Sequence, residues 1–339
     1  MPPRNLTPAP PAPLPTHRIL AALLWLTTAN AFAADAKHGA ATVTLGYDSN
    51  PAQTADATAR AFVHTAVSAA THPTAAVTVG LDGWWRHYDS ADTTARVEFH
   101  ADWSAETAHG LGVVTATLAA AAFRDTLVPA DERNEIAFLL RYDHVLTARD
   151  MLGISGELRQ LNYLHRVLPW AGRPGAAPPQ PAPRQADWSS APSPPHLPPP
   201  PAASVEALKR TDLLTQLGFD ATHHWSATVA SVLTLTLGHC ASSLSPETYT
   251  QHGVGGVLRL EPARRWQLEL GLDWKHLRYD QAPQQRQRRD AQRAASIALR
   301  RDFAHSSGTC RLDWLDSDSN YTERTFQQQV FSCGLDWEF

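Results

Sequence analysis

Hydrophobic and polar residues alternate along most of this chain. In WQLELGLDWK, Trp266, Leu268, Leu270, Leu272 and Trp274 share one phase. Gln267, Glu269, Gly271, Asp273 and Lys275 share the other. A repeat of two is the repeat of a β-strand, whose successive side chains point to opposite faces. ARVEFHADW follows the same rule, with Val97, Phe99, Ala101 and Trp103 against Arg96, Glu98, His100 and Asp102. VFSCGLDWEF does too, with Phe331, Cys333, Leu335, Trp337 and Phe339 against Ser332, Gly334, Asp336 and Glu338. The triplet Leu-Asp-Trp occurs at Leu272–Trp274, Leu312–Trp314 and Leu335–Trp337. In each copy the aspartate is the residue that faces the other way.

Two environments suit strands with one apolar and one charged face. In a soluble sandwich the apolar face is the core. In a membrane barrel it meets lipid, and the polar face lines the lumen. Many of these segments alternate for about ten residues, enough to cross a bilayer obliquely, whereas ordinary strands run about five or six. Fourteen segments are predicted, starting near residues 40, 59, 75, 94, 110, 134, 151, 210, 226, 250, 265, 293, 308 and 325. The links after odd strands (48–58, 89–93, 125–133, 166–208, 241–249, 280–291 and 316–324) are mostly longer than those after even strands. Long outer loops and short periplasmic turns are the habit of outer-membrane barrels. The predicted fold is therefore all-β: a transmembrane antiparallel up-and-down barrel of about 14 strands, localised to the bacterial outer membrane.

The tryptophans sort by height under that topology. Trp103, Trp225, Trp266 and Trp337 fall at periplasmic strand ends, and Trp85, Trp274 and Trp314 toward external ends. Amphipathic rings settle at the two membrane interfaces, so these are the predicted interface aromatics. Pro51, Pro73, Pro129, Pro246, Pro262 and Pro283 are all expected in links, since a proline cannot donate to a ladder. Residues 166–206 hold a proline-rich, low-complexity run. It is expected to be an extended external loop, open to protease on intact cells, with a partner-binding arm as the alternative.

Composition narrows the class. The chain has 339 residues and a formal net charge of −4, which does not suggest a nucleic-acid surface. Near the start, Arg18 precedes an apolar run from Ile19 to Leu26, and Ala31-Phe32-Ala33 has cleavage-site spacing. Residues 1–33 read as a secretory signal peptide, and 34–339 as the barrel. The absence of a cysteine just after that site argues against a lipid anchor there. The three cysteines, Cys240, Cys310 and Cys333, form neither a disulfide scaffold nor a zinc motif.

The terminal Phe339 resembles the aromatic ending that barrel-assembly machinery reads from a last strand. TLGYDSNPA (Thr44–Ala52) resembles the start of the C-terminal barrel of surface lipoprotein assembly modifiers and related tetratricopeptide-linked barrels. LDSDSNYTERTFQQQVFSCGLDWEF (Leu315–Phe339) resembles the ending of such barrels. The resemblance implies the fold and, at one remove, an accessory role in surface lipoprotein export. Those proteins carry periplasmic helical repeats before the barrel. Here only a few residues separate Ala33 from the first predicted strand, so the resemblance bears more on fold than on activity.

No enzyme is expected. There is no Gly-x-Ser-x-Gly. Asp143 and His144 are strand neighbours on opposite faces, and His223-His224 is expected in a turn. By elimination the inward charges are the functional surface. The lumen-lining candidates are Arg96, Glu98, His100, Asp102, Arg141, Asp143, Glu269, Asp273, Lys275, Arg300, Asp302, Arg311 and Asp313. The expected function is a narrow polar channel or translocation pore. The alternative is a plugged structural or surface-binding barrel. No cofactor or metal is expected. The expected partners are outer-membrane lipid, the assembly machinery and an unidentified secreted or lipoprotein substrate.

The last hairpin offers a register test. With its tip at Tyr321-Thr322, Leu312 opposes Phe331 and Cys310 opposes Cys333, both cysteines facing lipid. Opposed Cβ atoms sit about 4.5–5.5 Å apart, wider than the roughly 3.8 Å of a disulfide. The favoured reading is two unbonded small apolar residues, with a disulfide as the alternative and Cys240 elsewhere and unpaired.

Overall fold

The computed structural model describes residues 38–56, 58–167, 208–244, 247–280 and 287–339. Fourteen strands follow in chain order: β1 (His38–Asp48), β2 (Arg60–Thr74), β3 (Val77–Tyr88), β4 (Thr93–Glu106), β5 (Gly112–Asp125), β6 (Arg133–Val145), β7 (Asp150–Val167), β8 (Leu208–Ser226), β9 (Val229–Ser242), β10 (Tyr249–Ala263), β11 (Trp266–Tyr279), β12 (Arg289–Asp302), β13 (Ser306–Ser319) and β14 (Phe326–Glu338). Each pairs antiparallel with its sequence neighbours, and β1 closes on β14 from Ala40↔Glu338 to Asp48↔Val330. The predicted segment starts all fall within a few residues of these bounds. The leader at 1–33 lies outside the described residues. So does the proline-rich stretch at 166–206, except for Arg166 and Val167 at the end of the β7 backbone.

Alternation decides which face is which. Leu45, Phe99, Leu118, Ile136, Leu217, Leu235, Leu272, Leu312 and Phe331 are all exposed, and Leu272 reaches 71 %. They share the outer phase. Asp48, Glu135, Asp212 and Asp290 sit on the other phase and are nearly inaccessible. A sheet that buries its carboxylates inside and shows its leucines outside is built for an apolar solvent. Closure leaves no open sheet edge, so ladder N–H and C=O groups are paired between strands, and that allows strands to cross lipid. The protein is a closed transmembrane barrel of the outer-membrane type, and that membrane is where such barrels reside.

The final hairpin has the expected register, with Cys310 opposite Cys333 and Leu312 opposite Phe331. The favoured unbonded state is overturned: Cys310 and Cys333 form a disulfide. Opposed antiparallel pairs alternate between wide and narrow, and this one is narrow, with Cα atoms 4.1 Å apart. The average pair spacing overstated the gap. Cys240 is free and buried on the inner face.

Two prolines depart from the expected loops. Pro73 lies in β2 and Pro262 in β10. Each falls where the register slips, between Thr71 and Thr74 and between Leu260 and Ala263. An irregularity frees the proline from donating, so strand ends tolerate it. His223 and His224 also lie in β8 rather than in a turn. His223 Nδ1 is 2.7 Å from Asp150 Oδ1 on β7.

Every second hairpin among those that follow odd strands is built alike. At the β1, β5, β9 and β13 ends, a side-chain oxygen accepts the N–H two residues on. The pairs are Asp48 with Asn50, Asp125 with Leu127, Ser242 with Leu244 and Ser319 with Tyr321. This is Asx- and Ser-turn chemistry, which bends the chain back without glycine.

Candidate functional site

The inner face is the candidate site, and its charges are arranged by strand geometry. Side chains at i and i+2 of a strand share a face. Arg-x-Asp or Arg-x-Glu on the inner phase therefore yields a local ion pair. Among the described residues seven such pairs form: Arg96 with Glu98, Arg133 with Glu135, Arg141 with Asp143, Arg210 with Asp212, Arg288 with Asp290, Arg300 with Asp302 and Arg311 with Asp313. Glu157 with Arg159 is the reversed case, at 2.6 Å.

On the β4–β8 side these pairs fuse into a lattice. The Glu135 carboxylate, 2 % exposed, accepts from Arg133 at 2.8 Å, Arg96 at 3.1 Å and Arg159 at 3.2 Å. Arg96 reaches it across β5 from β4. Arg141 on β6 grips Asp143 and also reaches across β7 to Asp220 on β8, with N–O distances of 2.9 and 3.0 Å. Gly153 makes that reach feasible. A Cβ there would come within 2.5 Å of the guanidinium and 2.6 Å of the Asp220 oxygens. Bidentate, multiply accepted guanidinium contacts of this kind are the strong class of charged hydrogen bond.

Toward the mouth that carries the links after odd strands, the arginines lie on rings. Arg86 stacks on Phe62 at 4.5 Å, Arg210 on Tyr163 at 4.4 Å and Arg288 on Tyr279 at 4.0 Å. Ser242 Oγ donates to Asp212, and Ser319 Oγ donates to Asp290, each at 2.6 Å. The upper rim of the lumen is thus braced by repeated ring–arginine–aspartate units.

The opposite wall is different. The inner phase of β9–β12 presents Thr234, Thr236, Gly253, Gly255, Gly271, Ala294 and Ser296. A cavity of about 620 Å³ lies beside it. Its lining includes Thr234, Asp273 and Ala294, and it extends to Asp48, Arg86 and Gln328. A second depression, about 430 Å³, is lined by Tyr142, Leu152, Ile154 and Phe219. Those residues lie on the outer phase, so it opens toward lipid.

The register puts all thirteen lumen candidates on the inner phase: Arg96, Glu98, His100 and Asp102 on β4, Arg141 and Asp143 on β6, Glu269, Asp273 and Lys275 on β11, Arg300 and Asp302 on β12, and Arg311 and Asp313 on β13. They are not one cluster. Arg96 and Glu98 join the lattice, and Arg300 with Asp302 and Arg311 with Asp313 remain local pairs. Glu269 pairs instead with Arg259 at 3.1 Å. Trp85, Trp103, Trp266, Trp274, Trp314 and Trp337 are on the outer phase, and Trp225 sits exposed at the β8–β9 irregularity. Phe339 exchanges two backbone hydrogen bonds of 2.9 Å with Gly39, its ring lying over that glycine. Sequence reasoning missed Arg133, Arg210, Asp212, Asp220, Arg288 and Asp290. Arg-x-Asp or Arg-x-Glu spacing was the available signal for all of them but Asp220, which has no arginine two positions before it.

No family model matches the sequence, and neither does any curated protein. Solved structures share the architecture. OmpT, an outer membrane protein of Vibrio cholerae, aligns in its loop-L8 deletion form over 89 % of this chain and 98 % of its own, at 8 % identity and TM-score 0.47. An anion-selective porin from Comamonas acidovorans aligns over 89 % and 98 %, at 8 % identity and TM-score 0.43. The Pseudomonas putida toluene transporter TodX aligns over 91 % and 90 %, at 8 % identity and TM-score 0.45. Likeness at this level transfers no substrate and no activity.

Proposed function

We propose that the protein is an outer-membrane channel whose narrow polar passage runs along the small-residue wall of β9–β12. The observation that carries this reading is the cavity of about 620 Å³ between that wall and Asp48, Arg86 and Gln328. Fourteen strands enclose more room than an eight-stranded barrel, whose side chains fill it, and less than an open porin. Carboxylates and guanidinium groups are mixed along the lumen, so small hydrophilic solutes of either sign fit and strong ion selectivity does not follow. The outer tryptophans are read as interface anchors and the outer leucines as the lipid contact. No catalytic residue is assigned.

Single-channel recording in planar bilayers tests the proposal. Steady unitary conductance is the expected result. A folded, heat-modifiable protein that inserts without conducting would overturn it in favour of a plugged, surface-binding barrel. A second reading rests on the resemblance of Thr44–Ala52 and Leu315–Phe339 to surface lipoprotein assembly modifiers: an accessory barrel for lipoprotein export. Deleting the gene should then strip specific lipoproteins from the cell surface, and unchanged surface display removes that reading.

A further inference from the structure

The lumen face of β3 and β4 carries a cluster that conduction does not need. We propose that Asp82, Glu98 and His100 form a binding site for a divalent transition-metal ion of the Zn²⁺ type. In the β3–β4 ladder Asp82 opposes Glu98, and Gly80 opposes His100, all on the inner phase. One ligand atom from each of the three lies within 4.8 Å of the others. An ion with bonds of about 2.0–2.2 Å can draw such atoms into its shell with small side-chain movements. One imidazole nitrogen with two carboxylates is a mixed donor set for this class of ion, unlike an all-oxygen cluster.

The histidine is held from both sides. His100 lies against Gly80, where a Cβ would come within 2.3 Å of its ring. Only a bare backbone lets the imidazole lie there and point Nδ1 at Asp82 Oδ2, 2.9 Å away. Its other nitrogen, Nε2, is 3.5 Å from Asp102 Oδ2. Asp102 is itself fixed, since Thr117 Oγ1 donates to its Oδ1 at 2.6 Å. A carboxylate behind the far nitrogen of a ligating histidine is the outer-shell arrangement that sets tautomer and raises ligand basicity.

Glu98 is positioned too. Arg96 occupies its Oε2 at 2.5 Å and is anchored at 3.1 Å to Glu135, which leaves Oε1 for a ligand. Charge points the same way. Asp82, Glu98 and Asp102 share this inner face, Arg96 is divided between Glu98 and Glu135, and Arg159 acts on Glu98 from β7 while paired with Glu157 and Glu135. A dication offsets the local excess. Three protein ligands leave a fourth position for water on the lumen side. Asp82, 44 % exposed, keeps the site reachable. The ligands come from two strands and match no sequence spacing motif, so the sequence alone predicted no metal.

The test uses the full-length, tag-free protein folded in detergent and stripped with chelator. Titration with Zn²⁺ followed by calorimetry should give one saturable site, and Co²⁺ should give visible ligand-field absorption. His100→Ala should abolish both signals. Asp102→Asn should leave one site but weaken it about 10- to 100-fold, as loss of an outer-shell partner does. A heat-modifiable band checks folding of each variant. Should His100→Ala fail to fold, the Asp82→Asn/Glu98→Gln pair serves in its place, with the same loss expected. Absence of saturable binding in the wild type, or binding unchanged in the ligand variants, would overturn the site and leave His100 as a member of the ionic lattice. Binding is read without any current, so the site and the channel can fail separately.

Discussion

The β4–β8 wall and the β9–β12 wall obey the same alternation and put opposite material into the lumen. The first inserts arginines and carboxylates long enough to meet across an intervening strand, as Arg96 and Glu135 do over β5 and Arg141 and Asp220 do over β7. The second inserts threonine, alanine, serine and glycine around the cavity, and its ion pairs, Arg259 with Glu269 and Arg300 with Asp302, stay between neighbouring strands or on one strand, although Gln251 does reach over β9 to Gln216. Strand number sets the diameter of a barrel; side-chain length sets how much of that diameter stays open. The ionic wall therefore stiffens and fills, and the small-residue wall leaves the passage.

Glu135→Ala should break this contrast most severely. It strands Arg96, Arg133 and Arg159 without their shared acceptor in a part-buried lattice. Removing one partner from a buried ionic network costs about 3–5 kcal/mol. Thr236→Ala on the other wall should cost under about 1.5 kcal/mol. Denaturant unfolding of both variants in lipid vesicles measures the difference. Equal losses would show that the two walls do not differ in kind.

The seam beyond the small-residue wall has a covalent brace in place of a lattice. Replacing Cys310 and Cys333 together by serine removes the disulfide across β13–β14. A loop of this length gives about 3 kcal/mol in the chain-entropy account. The same unfolding assay should show that loss in the double variant, and reductant should reproduce it in the wild type. No change on reduction would mean that ladder pairing alone holds the seam.

Open space is the next quantity to test. Ala294 lies on the inner phase of β12 and lines the cavity. Ala294→Trp should lower unitary conductance several-fold at little cost in stability, because the new ring enters free volume. Ala120→Trp, on the outer phase of β5, should leave conductance unchanged. If both variants conduct like the wild type, the passage does not follow β9–β12.

Much of this was legible because period two is a local signal. The alternation from Trp266 to Trp274 located β11 and its faces without any knowledge of neighbours. The 310–333 pairing followed from one hairpin tip. Contacts that skip a strand were not legible. Arg141 meets Asp220, 79 positions away, only because the barrel has closed and Gly153 is bare between them. Pro73 and Pro262 misled because composition forbids a proline in a regular ladder but says nothing of where the ladder slips. The upper rim lay within reach: Arg210-x-Asp212 and Arg288-x-Asp290 repeat the spacing of Arg96-x-Glu98 one level higher, in segments whose apolar phase has already faded.

The smallest effect belongs to the mouth at the β5–β6 link, above the ionic wall, where the same chemistry meets water. Glu132, in the link between β5 and β6, lies 2.9 Å from His165 Nε2 on β7 and also accepts the Asp125 N–H at 3.2 Å. The His165 hydrogen bond, helped by that N–H, holds the Glu132 carboxyl below the ordinary glutamate range. A depressed folded-state pKa means that the contact adds stability above the unfolded-state value. That contribution disappears as pH falls through the folded-state value. Wild type should therefore exceed Glu132→Gln at neutral pH, and the two should converge in acid. His165 is about half exposed, so water screens the pair, and the gap should stay under about 1 kcal/mol and shrink with added salt. Melting curves of both proteins across the acid range check this. A gap that persists below the glutamate range would assign the effect to Glu132 packing rather than to its charge, and a gap as large as that of Glu135→Ala would erase the distinction between a lattice in the lumen and a single pair at its rim.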